Sequence, residues 1–307
     1  MRRALFVLCV LAGCSGAGRD EVVVYTSVDE IYAREIFAAF TRETGVTVRA
    51  VFDTEEAKTL GLVNRIAAER AAPQADVFWN GECSRTAWLK SQGLLEPFRP
   101  ASAAGIADEW RDADGAWTGF GARARVIVYH TSKTPPRTLD ELASGKWRVA
   151  VANPLFGTTA AHAVAMGEDE ALRVFRALKS GGARFVGGNS HVRDLVARGE
   201  CDAGLTDTDD VWIGRQRGDP IDMVLPEPTL VIPNSVALVK GAPRPAAARR
   251  FIEWLLRPET EAMLAKGPSR QIPVRGDALP AKRLRIDWGR VTASDEFFRK
   301  LRGALDL

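Results

Sequence analysis

Three carboxylates fall within four residues in Thr206-Asp207-Thr208-Asp209-Asp210. One helix cap needs one such side chain. Packing like charges this closely costs energy unless a cation or hydrogen-bond donors offset it. The segment reads either as a helix start carrying surplus acid or as an oxygen-donor site for a cation. Three other polar runs also follow β-type stretches: Thr26-Ser27-Val28-Asp29-Glu30, Trp79-Asn80-Gly81-Glu82, and Asn153-Pro154-Leu155-Phe156-Gly157-Thr158-Thr159. Helix capping explains any one of them singly.

The Gly157-Thr158-Thr159 run opens a helical stretch, and backbone N–H groups at such a start favour an anion. A cap alone explains it equally well. In Ala122-Arg123-Ala124-Arg125, one arginine is expected to enter a cleft and hold an anion or carboxylate. The other is expected on a solvated or ion-paired face. Trp79 and Trp212 flank acidic runs and offer a π surface to an organic cation; the other six tryptophans read as core or rim. His130, His162 and His191 lack ligand spacing. No Gly-x-Ser-x-Gly elbow, phosphate-loop motif or His-Glu-x-x-His is present. This chemistry is that of a binder, not an enzyme; a hydrolase is the alternative from another class.

Short β runs alternate with amphipathic helices and position these residues. Strands are expected at Val22–Tyr25, Val46–Phe52, Asp76–Trp79, Val126–Tyr129, Val149–Val151, Phe185-Val186, Ala203–Leu205, Leu230–Ile232 and Val236–Val239. Helices are expected at Ile31–Arg42, ended by Gly45, then at Leu60–Arg70, Glu168–Leu178, Val192–Ala197 and Pro245–Leu256. The βαβ succession implies parallel sheets. The pattern restarts after a Gly/Asp/Ala-rich stretch at 101–115. Two α/β lobes follow, with a crossover near Phe120 and a return near Leu230. Ligands of open parallel sheets bind beyond the carboxyl ends of the strands, where the polar runs fall.

The chain has 307 residues, 46% of them hydrophobic, and a formal charge of +3. That composition excludes a disordered chain. Arg2 and Arg3 precede a short apolar run, Ala4 to Leu11, too short to span a bilayer. Leu11-Ala12-Gly13-Cys14 resembles the lipobox of bacterial lipoproteins, which implies removal of residues 1–13 and lipidation of Cys14. Residues 14–21 then form a flexible tether. Removal takes away Arg2 and Arg3 and no acid, so the charge falls to +1. No broad basic character remains to bind nucleic acid. Cys83 and Cys201 are left as thiols or as a pair.

Val23-Val24-Tyr25-Thr26-Ser27-Val28-Asp29-Glu30, Pro73-Gln74-Ala75-Asp76-Val77-Phe78-Trp79-Asn80 and Trp117 to Val126 resemble the ferric-iron-type solute-binding proteins of ABC importers. So do Asn153 to Thr159, Gly204 to Asp210 and Ile232 to Leu238. The likeness runs in order along nearly the whole mature chain. It implies the two-lobe α/β fold of type II periplasmic binding proteins, each lobe a mainly parallel sheet flanked by helices, joined by a two-stranded hinge. On this pattern one lobe spans 22–119 plus 230–270, the other 120–229, and 271–307 packs on both.

Ferric members of the family place a ligand in the first junction, a Glu in the second and adjacent tyrosines in the fourth. The resemblance carries these onto Asp29, Glu82, Asp209 and Asp210. Carboxylates thus replace the tyrosines. Phenolates favour Fe(III), whereas carboxylates also accept Mn, Ca or Mg. Ser27, Asn80, Arg123, Gly157, Thr158, Thr159, Asn189 and Asp207 are the implied anion-binding or supporting residues. The expected protein is a monomeric lipoprotein of the periplasm or cell surface. It binds Fe(III) with a synergistic anion, or another oxygen-loving metal, and delivers it to ABC permease subunits. An organic cation (polyamine or thiamine) or an anionic molecule such as a phosphonate is the alternative ligand.

Overall fold

The computed structural model describes residues 20–53, 60–280, 282–289 and 294–307. The signal segment, Cys14 and most of the tether lie outside the described residues. Glu21, assigned above to the tether, already belongs to the first strand. Among the described residues no helix is long and apolar enough to cross a membrane.

Strand β1 (Glu21–Thr26) pairs in parallel with β2 (Thr47–Phe52) and β3 (Val77–Asn80). Helix α1 (Glu30–Thr44) connects the first two, and α2 (Leu60–Ala68) leads toward the third. The helix α1 stops at Gly45, whose φ of 76° is the left-handed conformation that glycine adopts without strain. Its buried face carries Tyr32, Ile36, Phe37 and Phe40, whereas Ile31 is exposed. Helix α3 (Ser84–Ser91) and the short β4 (Leu95–Glu96) follow.

The long β5 (Thr118–His130) starts beside the first set of strands and ends in a second. Only Val126–Tyr129 was expected as strand, because Gly-Phe-Gly-Ala-Arg-Ala-Arg has little β-branched character. Pairing along both flanks overrides that weak local preference. After the short α4 (Leu139–Leu142), the second set holds β6 (Val149–Ala152), β7 (Arg184–Val186) and β8 (Ala203–Asp207), mutually parallel. Helices α5 (Gly157–Met166), α6 (Glu168–Ser180) and α7 (Asn189–Ala197) make the crossovers. Helix α8 (Thr208–Gln216) and β9 (Ile221–Val224) complete the set, β9 lying antiparallel on β5.

The chain returns in β10 (Val231–Val239), antiparallel to both β3 and β5. Sequence patterning splits this strand in two at Pro233. The strand instead runs through, and the missing proline N–H is absorbed by a register shift between Pro233 and Asn234. The main path is β2-β1-β3-β10-β5-β8-β6-β7, with β4 on β10 and β9 on β5, so β5 and β10 are the two strands that join the halves. Gly121 on β5 has a φ of 45°, and a Cβ there would lie 2.8 Å from Gln271 Oε1.

Helices α9 (Pro245–Leu255), α10 (Pro258–Lys266) and α11 (Asp295–Leu305) close the chain. Phe37 and Phe40 of α1 meet Phe251 of α9 at ring-centroid distances of 5.9 and 5.0 Å, and Trp79 stacks on Phe120 at 5.9 Å. Such pairs contribute roughly 0.5–1.5 kcal/mol each beyond their buried area. A second cluster holds Phe175 and Leu178 of α6 with Phe297, Leu301 and Leu305 of α11. Cys83 and Cys201 are both buried and free.

Asp76 ties three elements together at full burial. Its carboxylate accepts from Val23 N at 2.7 Å and from Arg244 N at 2.7 Å, just before α9. Asp76→Ala leaves both N–H groups without that acceptor. Urea denaturation should show a loss of roughly 2–4 kcal/mol, from charged hydrogen bonds lost and donors stranded.

Candidate functional site

The carboxyl ends of β1, β3, β6, β7 and β8 converge on a cleft of about 300 Å³, lined also by β5 through Arg123. The cleft floor is organised by an ion pair. Arg125 on β5 lies opposite Asp207, the last residue of β8, in the antiparallel register. Its Nη1 donates to Asp207 Oδ1 at 2.7 Å, and both side chains are almost wholly buried. Buried charges must be paired and hydrogen-bonded to survive. Thr158 Oγ1 donates to Asp207 Oδ2 at 2.5 Å, and Asn189 Nδ2 donates to the same oxygen at 2.9 Å. Arg125 also donates to Thr158, Thr159 and Asn189 at 3.2–3.3 Å.

As expected, one arginine, Arg123, lines the cleft and the other, Arg125, is ion-paired. They do not reach these roles by pointing opposite ways: residues two apart on a strand point the same way, and both side chains are buried. Arg125 is ion-paired but not solvated. Thr158, Thr159, Asn189 and Asp207, expected to hold an anion or support one, spend the polar groups named here on the Arg125–Asp207 pair. They still border the cleft, as do Gly157 and Ser27.

Glu82 lines the cleft as well, but its carboxylate has partners of its own. Its carboxylate turns back onto the start of its own helix, accepting from Ser84 N at 2.5 Å and Arg85 N at 3.0 Å. Ser84 Oγ and Asn80 Nδ2 donate to it as well. The residue caps α3, the role that a carboxylate two residues before a helix start performs by geometry. Asn80, fully buried, bonds to Glu82 and Thr86 inside the fold. Trp79 has no exposed surface and belongs to the core. Trp212 carries guanidinium groups of Arg215 and Arg270 over its ring at 4.8 and 4.7 Å. Trp79 is therefore closed to an organic cation, and the Trp212 ring already carries two cations of this chain.

Asp29, at the start of α1, borders the same cleft as Asp209 and Asp210, in the first turn of α8. One oxygen each of Asp207, Asp209 and Asp210 lies within 4.8 Å of the others. Asp209 Oδ2 is 3.5 Å from Arg123 Nε, while its Oδ1 is buried without a hydrogen-bond partner. Asp210 accepts from Thr206 Oγ1 at 3.1 Å and faces Arg193 at 3.9 Å. Burial pushes Asp209 up to about 6 against the pull of Arg123, and Asp207 and Asp29 add to the rise. Burial raises Asp210 well above the usual carboxylate range too, followed by repulsion from Asp209, Asp207 and Asp29. Burial works against the Arg123 charge, but Asp209, Asp207, Asp29 and Asp210 outweigh it and push its pKa up.

Tyr32, absent from the residues singled out as ligands above, completes the cluster. It lines the cleft at 5% exposure, and its Oη has no hydrogen-bond partner. Burial, then Asp209, Asp29 and Asp210, hold its phenol protonated well above the ordinary range. A stranded buried hydroxyl costs roughly 1–3 kcal/mol. The signal in the sequence was spacing: Tyr32 lies three residues after Asp29, hence on the same side of α1. Arg193 and Arg217 also line the cleft, and no motif marked them.

A carboxylate whose pKa is raised on folding, as Asp209 is, holds a proton between about pH 4 and 6 that the unfolded chain releases. Folding stability therefore falls as pH rises through that window. A tenfold difference in proton affinity between the folded and unfolded chain is worth about 1.4 kcal/mol. Calorimetric melting of the ligand-free protein should show this fall, and Asp209→Asn should flatten it.

Residues 21–267 match the family described as bacterial extracellular solute-binding protein. Iron uptake protein A1 of Synechocystis sp. (strain ATCC 27184 / PCC 6803 / Kazusa) is 31% identical over 273 residues, covering 81% of this chain and 74% of that protein. Iron-bound HitA from Pseudomonas aeruginosa superposes with a TM-score of 0.80 at 22% identity, over 93% of this chain and 99% of that one. The periplasmic binding protein AfuA from Actinobacillus pleuropneumoniae, with fructose-6-phosphate bound, gives 0.82 at 20% identity, over 94% and 99%. The strand path through β5 and β10, the cleft at the strand ends and these likenesses agree: the chain belongs to the bacterial extracellular solute-binding proteins and has the two-lobe fold of type II periplasmic binding proteins.

Proposed function

We propose that this protein captures a cation with oxygen ligands, ferric iron first among them, and hands it to an ABC permease. The observation that carries this reading is the convergence of Asp29, Asp209 and Asp210 in one cleft, with Asp209 and Asp210 raised above the usual carboxylate range. Like charges at this proximity are stabilised by a bound cation, and carboxylate oxygens suit hard metals. The iron named for two of the similar proteins supports the same choice. The cleft exceeds the volume of an ion, leaving room for a synergistic anion near Gly157 at the start of α5.

Under this reading the first lobe is 22–119 with 230–270, the second is 120–229, and 271–307 packs on both. Asp29 then faces Asp209 and Asp210 across the interlobe cleft, so ligand binding and closure are one event. Delivery requires a place at the outer face of a membrane. The lipobox-like Leu11 to Cys14 supports anchoring there, in the periplasm or on the cell surface, as a monomer. No catalytic step belongs to this function.

A second reading rests on Arg193 and Arg217, which line the same cleft. A small organic molecule carrying phosphate or phosphonate would pair with them, in keeping with the sugar phosphate named for AfuA.

Calorimetry separates the two. Fe(III) citrate should bind the wild type, and the double change Asp209→Asn with Asp210→Asn should weaken it at least 100-fold. Asn preserves size and capping ability, so a purely structural role leaves affinity unchanged. Tight binding of fructose 6-phosphate or 2-aminoethylphosphonate, with none of Fe(III), Mn(II) or Ca(II), would favour the second reading. X-ray scattering should show a smaller radius of gyration at saturating Fe(III) citrate than without it. An unchanged radius would argue against closure.

A further inference from the structure

The carboxylates described so far do not choose strongly among metals. Asp29, Asp209 and Asp210 are hard oxygen donors that suit divalent Mn, Ca or Mg as well as Fe(III). The cleft holds one donor of a different kind. Tyr32 is buried, lines the cavity, and points a hydroxyl with no hydrogen-bond partner into the neighbourhood of Asp29, Asp209 and Asp210. A tyrosine kept only for packing has no need of its hydroxyl; phenylalanine fills the same space without a polar atom to satisfy.

Resting on the cation reading, we propose that Tyr32 is a metal ligand, a phenolate supplied from α1 that makes the site selective for Fe(III) over divalent ions. The position is unlike the adjacent pair on the fourth junction, now Asp209 and Asp210. The oxygen donor has moved from the start of α8 to the first turn of α1, on the other side of the cleft. As the metal–oxygen bond forms, the O–H bond breaks with its electron pair left on Oη, and the proton leaves to water. The metal is not reduced, and the charge gained by the oxygen is neutralised by the cation.

The chain offers a clean assignment because it has three tyrosines. Tyr25 Oη donates to Glu69 at 3.0 Å, just past the end of α2. Tyr129 lies near the end of β5 and packs against the second core cluster. Neither lines the cleft.

The test adds Fe(III) citrate to the full-length protein and reads visible absorption, where phenolate-to-Fe(III) charge transfer gives a band that carboxylates alone do not. The wild type should show it. Tyr32→Phe should lose the band and bind Fe(III) at least tenfold more weakly, with Mn(II) affinity changed less than twofold. Tyr25→Phe and Tyr129→Phe should keep the band. Circular dichroism and thermal melting establish that each variant is folded; if Tyr32→Phe is not, Tyr32→His replaces it, and the band must still vanish. Wild type that binds Fe(III) without the band overturns the Tyr32 assignment and leaves the cation reading standing. A band that persists in folded Tyr32→Phe also overturns the assignment. Wild type that binds no Fe(III) overturns both.

Discussion

The buried pairing of Arg125 with Asp207 is the interaction on which the site depends. Two charges leave water together, and a pair in that position survives only when its remaining hydrogen-bonding capacity is filled. Thr158 and Thr159 at the start of α5, and Asn189 at the start of α7, fill it. One ion pair therefore fixes the relative position of β5, β8 and the first turns of two helices. Asp207 is held at the end of β8, and the first turn of α8 follows directly. That turn carries Asp209 and Asp210 into the cleft.

The second consequence concerns charge balance. With Asp207 neutralised by Arg125, the cleft carries Asp29, Asp209 and Asp210 against Arg123, which reaches Asp209 at 3.5 Å. Arg123 is itself tethered, donating to Asn234 Oδ1 on β10 at 2.8 Å. Arg193 faces Asp210 at 3.9 Å from the same cleft but spends its shorter contacts on Asp194. Desolvation then raises Asp209 and Asp210, and the ligand-free cleft carries a strain that protonation or a cation relieves.

The hinge strands show why the two lobes stay in register. The strand β5 passes from one set to the other while β10 bridges β3 and β5, so both crossings are hydrogen-bonded ladders rather than loops. Gly121 and the shifted register at Pro233 and Asn234 interrupt those ladders at one level. At that level the backbone is held by side chains instead: Gly121 N donates to Glu261 and Asn234 Nδ2 donates to Gly121 O.

Much of this was legible in the sequence. Period-two and helical patterning placed the parallel strands and most helices, and the polar runs after them marked the cleft, because βαβ geometry sends strand ends to one side. The junctions of Asp29 and of Asp209-Asp210 were readable for that reason. What each polar side chain does was not. Glu82 and Asp209 look alike as acids beside helix starts, yet one folds back onto its own N–H groups and the other faces its counterparts. Arg123 and Arg125 share a face by simple periodicity, but which of them meets Asp207 depends on the antiparallel register of β5 with β8. Tyr32 lies three residues after Asp29, but only packing showed its hydroxyl left without a partner. Local patterning determines elements because it acts through neighbours in the chain. The roles of buried polar groups are settled by partners distant in the chain, as Arg125 and Asp207 are, and those partners exist only once the sheet has closed.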